Sequence, residues 1–329
     1  MAERKKCVIM GTGSYLPEKV LTNFDLEKMV DTSDEWIVAR SGIRERRLAA
    51  DGQITSDLGV PAVRVALEDA GVAAEEIDML IMTTITPDMI FPSTSCVVQS
   101  KLGLPNAACC DLNAACTGCI YSIEMGRHLI EGGNYKRVLV VGAEKLSAIT
   151  DWEDRATCVL FGDGAGAMVL GPADDDKGIV DIYLGANGEW GDLLFMPAGG
   201  TLNPASHETV DGRMHYMKML GREVFKHAVI EMARSVEIVL ERNGLTIDDI
   251  DCLIPHQANI RIIKALAKKI RIPVEKVFVN LETRGNMSAA ALFVALDEAN
   301  KSGFVKKGDR VILVGFGAGL TWGAGLIDW

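Results

Sequence analysis

The chain has 329 residues, a formal net charge of −11, 48% hydrophobic but only 6% aromatic residues, and eight cysteines. This length suits two domains of ordinary size, and the acidic balance argues against a nucleic-acid binder. No apolar run approaches the roughly 18–20 residues of a membrane span. Residues 2–10 hold too short an apolar stretch for a signal peptide, so a cytoplasmic protein with reduced thiols is expected.

In chain order, residues 6–11 read as a first strand ending at glycines. Leu58, Val63, Val65, Ala66, Leu67 and Ala70 recur at helical spacing, which predicts a helix over 56–70 stopped by Gly71. A strand over 79–84, a helix over 93–102, a strand over 107–113, a helix over 117–131, a strand over 137–142 and one within 159–170 complete the first half. The second half repeats the order. It has a strand near 179–184, a helix over 223–242, a strand over 252–254 and a helix over 260–270. A strand over 276–279, a helix over 288–300 and strands over 311–314 and 321–327 follow. Helices alternating with short Val/Ile/Leu strands predict an α/β protein with buried, mainly parallel sheets.

The halves repeat each other. Ile77-Asp78 returns as Ile250-Asp251, and Arg137-Val138 as Arg310-Val311, both after 173 residues. A shared spacing at two distant points argues for duplication. The same shift carries Asn113 onto Asn286 and Cys116 onto Ala289. Cys116 and Asn286 should therefore lie near equivalent helix starts, with an active site between the copies. The polar stretch 171–176 marks the half boundary, and the first half carries about five extra residues around 86–92, where an insertion in a loop suits function.

Cys116 follows a strand and precedes a helix. Unpaired amides and the dipole at such a position lower a thiol pKa from about 8.5, in favourable cases to roughly 3.5–7.5, so Cys116 reads as a nucleophile. Cys7, Cys109, Cys110, Cys158 and Cys252 read as small buried hydrophobes. Cys116 and Cys119 also form a C-x-x-C pair, which supports a different class of reading, a thiol-disulfide redox protein. No second pair at ligand spacing supports zinc. His256 lies just past a strand end, where open α/β sheets place ligands; His128, His207, His215 and His227 read as structural. Asn286 is either a helix N-cap or an oxyanion donor. Gly11–Gly13 and Gly162–Gly166 do not complete a dinucleotide fingerprint and read as close-packed turns, whereas Gly315–Gly319 would bring backbone amides to an oxyanion. Arg261, Lys264, Lys268, Lys269 and Arg271 put five cations on or just past one amphipathic helix, either a solvated face or a dock for an anionic partner. Arg40, Arg44, Arg46 and Arg47 form a second basic cluster beside Trp36.

The motifs Asp31–Ile37, Gly42–Arg46, the Cys116 helix start, Phe161–Gly166, His256–Asn259, Gly285-Asn286 and Thr321–Gly323 occur in this order. Together, and over essentially the whole chain, they resemble the β-ketoacyl-acyl-carrier-protein synthase III family, the initiating condensing enzymes of type II fatty acid synthesis. The resemblance implies a duplicated thiolase-like fold, five-layered α-β-α-β-α with two mainly parallel mixed sheets, divided into halves 1–173 and 174–329. It implies a cytoplasmic homodimer without metal or cofactor, coenzyme A thioester being a substrate. Cys116 would accept an acyl group from a short acyl-CoA, acetyl-CoA foremost. His256 and Asn286 would then stabilise the enolate of malonyl-acyl-carrier protein as CO2 leaves, and the backbone amides of Cys116 and Ala318 would form the oxyanion hole. Trp36 and Arg155 would sandwich the adenine and Arg40 would meet phosphate, while Thr32, Gly221 and Asn259 would line the pantetheine path. Lys226 and Arg261, with Lys264 and Lys268, would dock carrier protein, and Phe91 would cross a dimer interface to limit acyl length. Met287, Cys119, Ala318 and Leu320 depart from the family's usual residues and bear on the acyl pocket. A ketosynthase-III-like acyltransferase or type III polyketide synthase shares the same Cys-His-Asn set.

Overall fold

The structure, a computed structural model, describes residues 6–173 and 177–329. Residues 2–5, read above against a signal peptide, and residues 174–176 of the half boundary lie outside the described residues. In the first half the elements are β1 (Cys7–Tyr15), β2 (Lys19–Thr22), α1 (Asn23–Leu26), α2 (Asp34–Ser41), β3 (Glu45–Leu48), α3 (Thr55–Ala70), β4 (Met79–Thr83), α4 (Thr94–Leu102), β5 (Ala108–Leu112), α5 (Gly118–Glu131), β6 (Val138–Glu144), α6 (Arg155–Cys158) and β7 (Gly164–Pro172). The second comprises β8 (Gly178–Ala186), β9 (Leu194–Phe195), α7 (His207–Asp211), β10 (Lys218–Met219), α8 (Gly221–Arg242), β11 (Cys252–Pro255), α9 (Ile260–Ile270), α10 (Leu281–Arg284), α11 (Ala290–Lys301), β12 (Arg310–Gly317) and β13 (Thr321–Asp328).

Two main sheets form, ordered β1-β7-β6-β4-β5 and β11-β12-β13-β8. Both are mixed, as expected, but "mainly parallel" is corrected. β4 is parallel to β5 and β6, and β11 to β12, whereas β1/β7, β6/β7, β12/β13 and β13/β8 are antiparallel. Each half ends by folding its last strand back beside the previous one, and an antiparallel return needs no crossover helix.

The sequence repeat has a structural counterpart in register. Met79 pairs with Val138 and Cys252 with Val311, both shifted by 173. The repeated aspartates explain why the Ile-Asp and Arg-Val motifs travel together. The Asp78 carboxylate accepts the Arg137 N–H at 3.0 Å and that of Asp251 the Arg310 N–H at 2.8 Å, so each starts a neighbouring strand. Each sheet also has an irregularity at the matching place, between Ile9 and Gly11 and across from Leu326 and Ile327.

Both sheets are buried on both faces, which explains their unbroken apolar runs. Val138 and Val140 of β6 join the central core with Ile120 and Ile123 of α5 and Leu292 and Phe293 of α11. Their neighbours Leu139 and Val141 face Leu58, Val63 and Ala66 of α3. In β12, Val311 and Leu313 face the central core, while Ile312 and Val314 face Val236 of α8 and Leu266 of α9. The order helix, sheet, helix, sheet, helix gives the expected five layers. Helix α11 approaches the first sheet closely over paired glycines. A Cβ on Gly142 would come 2.6 Å from Phe293 and one on Gly166 2.5 Å, and these two glycines face each other across β6 and β7.

The strand expected over 276–279 does not form. Only Val277 bridges to Leu253, because the Gln257 side chain takes the backbone groups a ladder would use, donating to the Phe278 carbonyl and accepting from the Asn280 N–H. The second basic cluster is also dispersed. Arg46 is fully buried and donates to the Leu21 and Val159 carbonyls and the Asn23 side chain. Arg44 pairs with Glu282, Arg47 reaches the Pro17 and Glu18 carbonyls, and Arg40 alone faces the cavity described next.

Candidate active site

A cavity of about 670 Å³ takes in the exposed Arg40 and Gly221 and the buried Cys116, His256 and Asn286, so it leads from the surface to the interior. Its walls come from both halves, as the repeat predicted.

Two turns of similar construction shape its inner end. β5 stops at Leu112, and Ala115 adopts a left-handed φ of 45° before the short 3-10 turn that carries Cys116 into α5. In the other half Asn286 is pinned against the segment Leu160–Gly162 by an isolated bridge, its N–H on Leu160 O at 2.9 Å and its carbonyl accepting from Gly162 at 3.0 Å. Two residues on, Ser288 has φ 47°. Ala115 and Ser288 are 173 residues apart, so the duplication extends to this unfavourable backbone, of a kind that costs about 1–3 kcal/mol and persists only where the surroundings enforce it.

The donors are set by this framework. Asn286 Oδ1 accepts from the Ser288 N–H at 2.9 Å, which settles the amide's orientation and leaves Nδ2 to donate elsewhere. Asn286 is thus neither a simple N-cap nor a free rotor. His256 extends β11, its N–H on Val314 O at 2.8 Å. His256 is 5% exposed, and among the described residues neither ring nitrogen has a partner; burial lowers its pKa to about 4. It is therefore neutral near pH 7, with one N–H to give. Gly317 at the end of β12 lies so near the nucleophile that a Cβ there would come 2.8 Å from Cys116 N. The following residue, Ala318, lines the cavity beside Cys116. A bond of 2.6 Å between the Thr117 and Thr321 hydroxyls ties the two segments together.

The Cys116 thiol departs from expectation. Burial pushes it up to about 12; the Ser288 hydroxyl, 3.4 Å from Sγ, works against that rise and Glu144 adds to it. The helix start alone does not make this thiol a ready anion, because burial of the sulfur disfavours its charged form.

The outer residues divide. Trp36, Arg40, Gly221 and Asn259 line the cavity; Thr32 and Arg155 do not. Arg155 instead lies over Trp36, 4.9 Å from the ring centroid, held by the Asp31 carbonyl at 2.8 Å. A flat base between them needs roughly 7 Å, two contact distances, so the expected sandwich is closed in the free chain. Both polar atoms of Asn259 are committed: Oδ1 caps α9 at the Arg261 N–H and Nδ2 donates to the Arg40 carbonyl. Lys226, Arg261, Lys264 and Lys268 are exposed, and Arg261 lies over Phe225, a cavity residue, at 6.0 Å. Phe91 and Ile90 are 83% and 85% exposed, away from this chain's own cavity. Cys119 is fully buried in the central core with Ile120 and Ile123 and does not line the cavity, so it is out of reach of an external disulfide. Among the described residues no group of three or more His, Cys, Asp or Glu could hold a metal, and no helix is long and apolar enough to cross a membrane.

Two residues beside the thiol escaped sequence reasoning, Ser288 and Glu144. Glu144 had a visible signal, an acid ending the otherwise apolar run Val138–Ala143; Ser288 had none.

The family described as 3-oxoacyl-[acyl-carrier-protein (ACP)] synthase III matches residues 110–188, and its C-terminal part matches 240–329. The chain is 56% identical to the β-ketoacyl-[acyl-carrier-protein] synthase III of Caldanaerobacter subterraneus, covering 100% of this chain and 99% of that one. Among solved structures, the 3-oxoacyl-[acyl-carrier-protein] synthase III of Aquifex aeolicus superposes with a TM-score of 0.91 at 47% identity, covering 98% of this chain and 100% of that one. The corresponding synthase of Thermus thermophilus gives 0.91 at 44% identity, covering 98% and 99%.

Proposed function

The chain belongs to the 3-oxoacyl-[acyl-carrier-protein] synthase III family, and we propose that Cys116, His256 and Asn286 carry its chemistry. It is an acyltransferase that makes the initiating condensation of fatty acid synthesis. The observation that supports this assignment best is that a buried thiol, a neutral imidazole and an oriented amide, drawn from both halves, share one cavity.

In the first stage the Cys116 sulfur attacks the carbonyl of a short acyl-CoA, acetyl-CoA foremost. The tetrahedral oxyanion faces the Cys116 and Ala318 amides, and the C–S bond to coenzyme A breaks. In the second, malonyl-acyl-carrier protein presents its thioester oxygen to the His256 N–H and Asn286 Nδ2. The bond to the carboxylate breaks, CO2 leaves, and the electron pair becomes an enolate. Its carbon attacks the acyl group and the Cys116 thiolate departs. Donors aimed where charge develops are typically worth about 3–4 kcal/mol each, and neutral donors suit the role because neither must lose a proton.

Trp36, Arg40, Gly221 and Asn259 bound the path of the acyl donor, Arg155 and Thr32 flank it, and the Lys226, Arg261, Lys264 and Lys268 surface docks the carrier protein. The substrates include a coenzyme A thioester, and no further cofactor or metal is required. The division into halves 1–173 and 174–329 rests on the shared registers. The exposed Ile90-Phe91 loop and the unpaired edge of β5, which ends its sheet, favour a homodimer in which Phe91 reaches the partner's acyl pocket. The protein acts in the cytoplasm, without nucleic acid or membrane.

The test is intact-protein mass after incubation with acetyl-CoA, for wild type and Cys116→Ala, followed by malonyl-carrier protein. One acetyl group that requires Cys116 and is discharged as acetoacetyl-carrier protein is the expected result. Absence of any adduct with acetyl, longer or branched acyl-CoA would overturn the assignment.

A further inference from the structure

The oxyanion formed at Cys116 faces two amides, those of Cys116 and Ala318, and they come from opposite halves of the chain. Amides on two separate segments serve one oxygen only if the segments keep a fixed spacing, since a displacement of about 1 Å can cost a hundredfold in rate. Backbone bonds supply part of that hold. Gly317, the last residue of β12, pairs with Thr321, the first of β13, and the three residues between them form the turn that carries Ala318. This turn is bonded to Asn187, the Leu320 N–H to the Asn187 carbonyl at 3.0 Å and the Asn187 N–H to the Leu320 carbonyl at 2.9 Å.

Toward Cys116 the link is made by side chains. Thr117, 0% exposed, and Thr321, which lines the cavity, share the hydroxyl–hydroxyl bond of 2.6 Å. Thr117 Oγ1 also lies 2.6 Å from the Ala114 carbonyl, and Thr321 Oγ1 lies 3.1 Å from the Ala318 carbonyl and 3.4 Å from that of Ala114. Each hydroxyl has one proton to give, so the chain of bonds runs in one of two directions. Either Thr321 donates to Thr117 and Thr117 to Ala114, or Thr117 donates to Thr321 and Thr321 to Ala318. In both, the short bond joins the turn before the nucleophile to the turn bearing Ala318. Packing alone does not call for hydroxyls here. The Thr117 methyl, Ile120 and Leu292 all face Gly315, an apolar setting in which a buried hydroxyl is costly unless it is bonded.

We propose that Thr117 and Thr321 form a clasp that sets the spacing of the oxyanion hole. Thr321 is a positioning residue for the Ala318 amide and Thr117 for that of Cys116. Neither hydroxyl gives up its proton during the reaction. The clasp rests on the assignment of Cys116 as the acylated residue, with these two amides facing its oxyanion.

The test compares a reaction of Cys116 that forms an oxyanion with one that does not. Acetyl transfer from acetyl-CoA passes through a tetrahedral oxyanion. Alkylation by iodoacetamide displaces iodide at a saturated carbon and forms none. Both are followed at Cys116 by peptide mass in wild type, Thr321→Ala, Thr321→Ser, Thr117→Ala and Thr117→Ser. Each alanine variant is expected to lose about ten- to a hundredfold in the maximal rate of acetyl transfer. The half-saturating concentration of acetyl-CoA and the rate of alkylation should not change, and each serine variant should regain most of the loss. The double alanine variant should lose no more than the worse single one, because each change breaks the same bond.

Wild-type acetyl transfer in both alanine variants would overturn the clasp, as would losses that multiply in the double variant. A matching fall in alkylation, or serine variants no better than alanine, would also overturn it by marking a general disturbance of the cysteine turn. If the buried Thr117→Ala does not fold, Thr321→Ala and Thr321→Ser supply the same comparison. A wild-type protein that is alkylated but never acetylated at Cys116 would instead sink the assignment of the site.

Discussion

Glu144→Gln should make the protein more stable, and increasingly so as pH rises. The wild-type carboxyl is wholly buried, and its pKa is raised from 4.5 to about 7 by burial, against hydrogen bonds from Thr86, Ile85 and Thr84. A raised folded-state value means that the stability it contributes is complete below pH 4.5 and is lost as pH rises through about 7. The interval of about 2.5 units corresponds to about 3 kcal/mol. Glutamine does not titrate, so the difference in stability between variant and wild type should grow by that amount between pH 4.5 and 7 and then level off. With an unfolding entropy of about 2 cal/mol/K per residue, a chain of this length shifts by roughly 4–5 °C. Thermal melts of both proteins across pH 4.5–8 measure it. Altered hydrogen bonding to Thr84 and Thr86 moves the whole curve without changing its slope, and His256, common to both proteins, cancels. A difference that is flat or shrinks with pH would refute the reasoning.

Phe293→Ala, emptying the space above Gly142 and Gly166, should cost about 3–5 kcal/mol, read as a lowered denaturant midpoint; an unchanged midpoint would mean that the middle layer collapses freely. Trp36→Ala should raise KM for acyl-CoA about fivefold, the worth of a stacking contact near 1 kcal/mol, and leave the KM for malonyl-carrier protein alone. Arg261→Glu should do the reverse, with an effect that weakens as salt is added; equal effects on both substrates would place Arg261 on the acyl-CoA path. Cys119→Ser should keep condensation activity, since Cys119 sits in the core and not in the cavity; loss of turnover in a folded variant would reopen the redox reading.

Much of this protein was legible in the chain. The 173-residue spacing was readable because a duplicated fold repeats its constraints: Asp78 and Asp251 must each meet a strand start, so their motifs kept step. The long helices α3, α4, α5, α8, α9 and α11 and the strands of the two main sheets were legible from periodicity, whereas the shorter helices, α2 with Trp36 and Arg40 among them, were not. Cys116 and His256 stood out by their positions just after strands, and Asn286 by its 173-residue equivalence to Asn113. What failed did so where a side chain or solvent decided the outcome. Residues 276–279 have strand-like composition, yet Gln257 takes their backbone partners. Arg46 looks like surface charge beside Arg44 and Arg47, yet three acceptors wait for it inside. Cys116 at a helix start suggested a lowered pKa, yet its burial raises it. Local patterns specify which segments become helices and strands, because those depend on neighbours a few residues away. Which polar groups are buried, which meet across 173 residues, and what proton a thiol can lose depend on contacts between distant parts of the chain. The pairing of Ser288 with Cys116 exists only once the two halves have closed on each other.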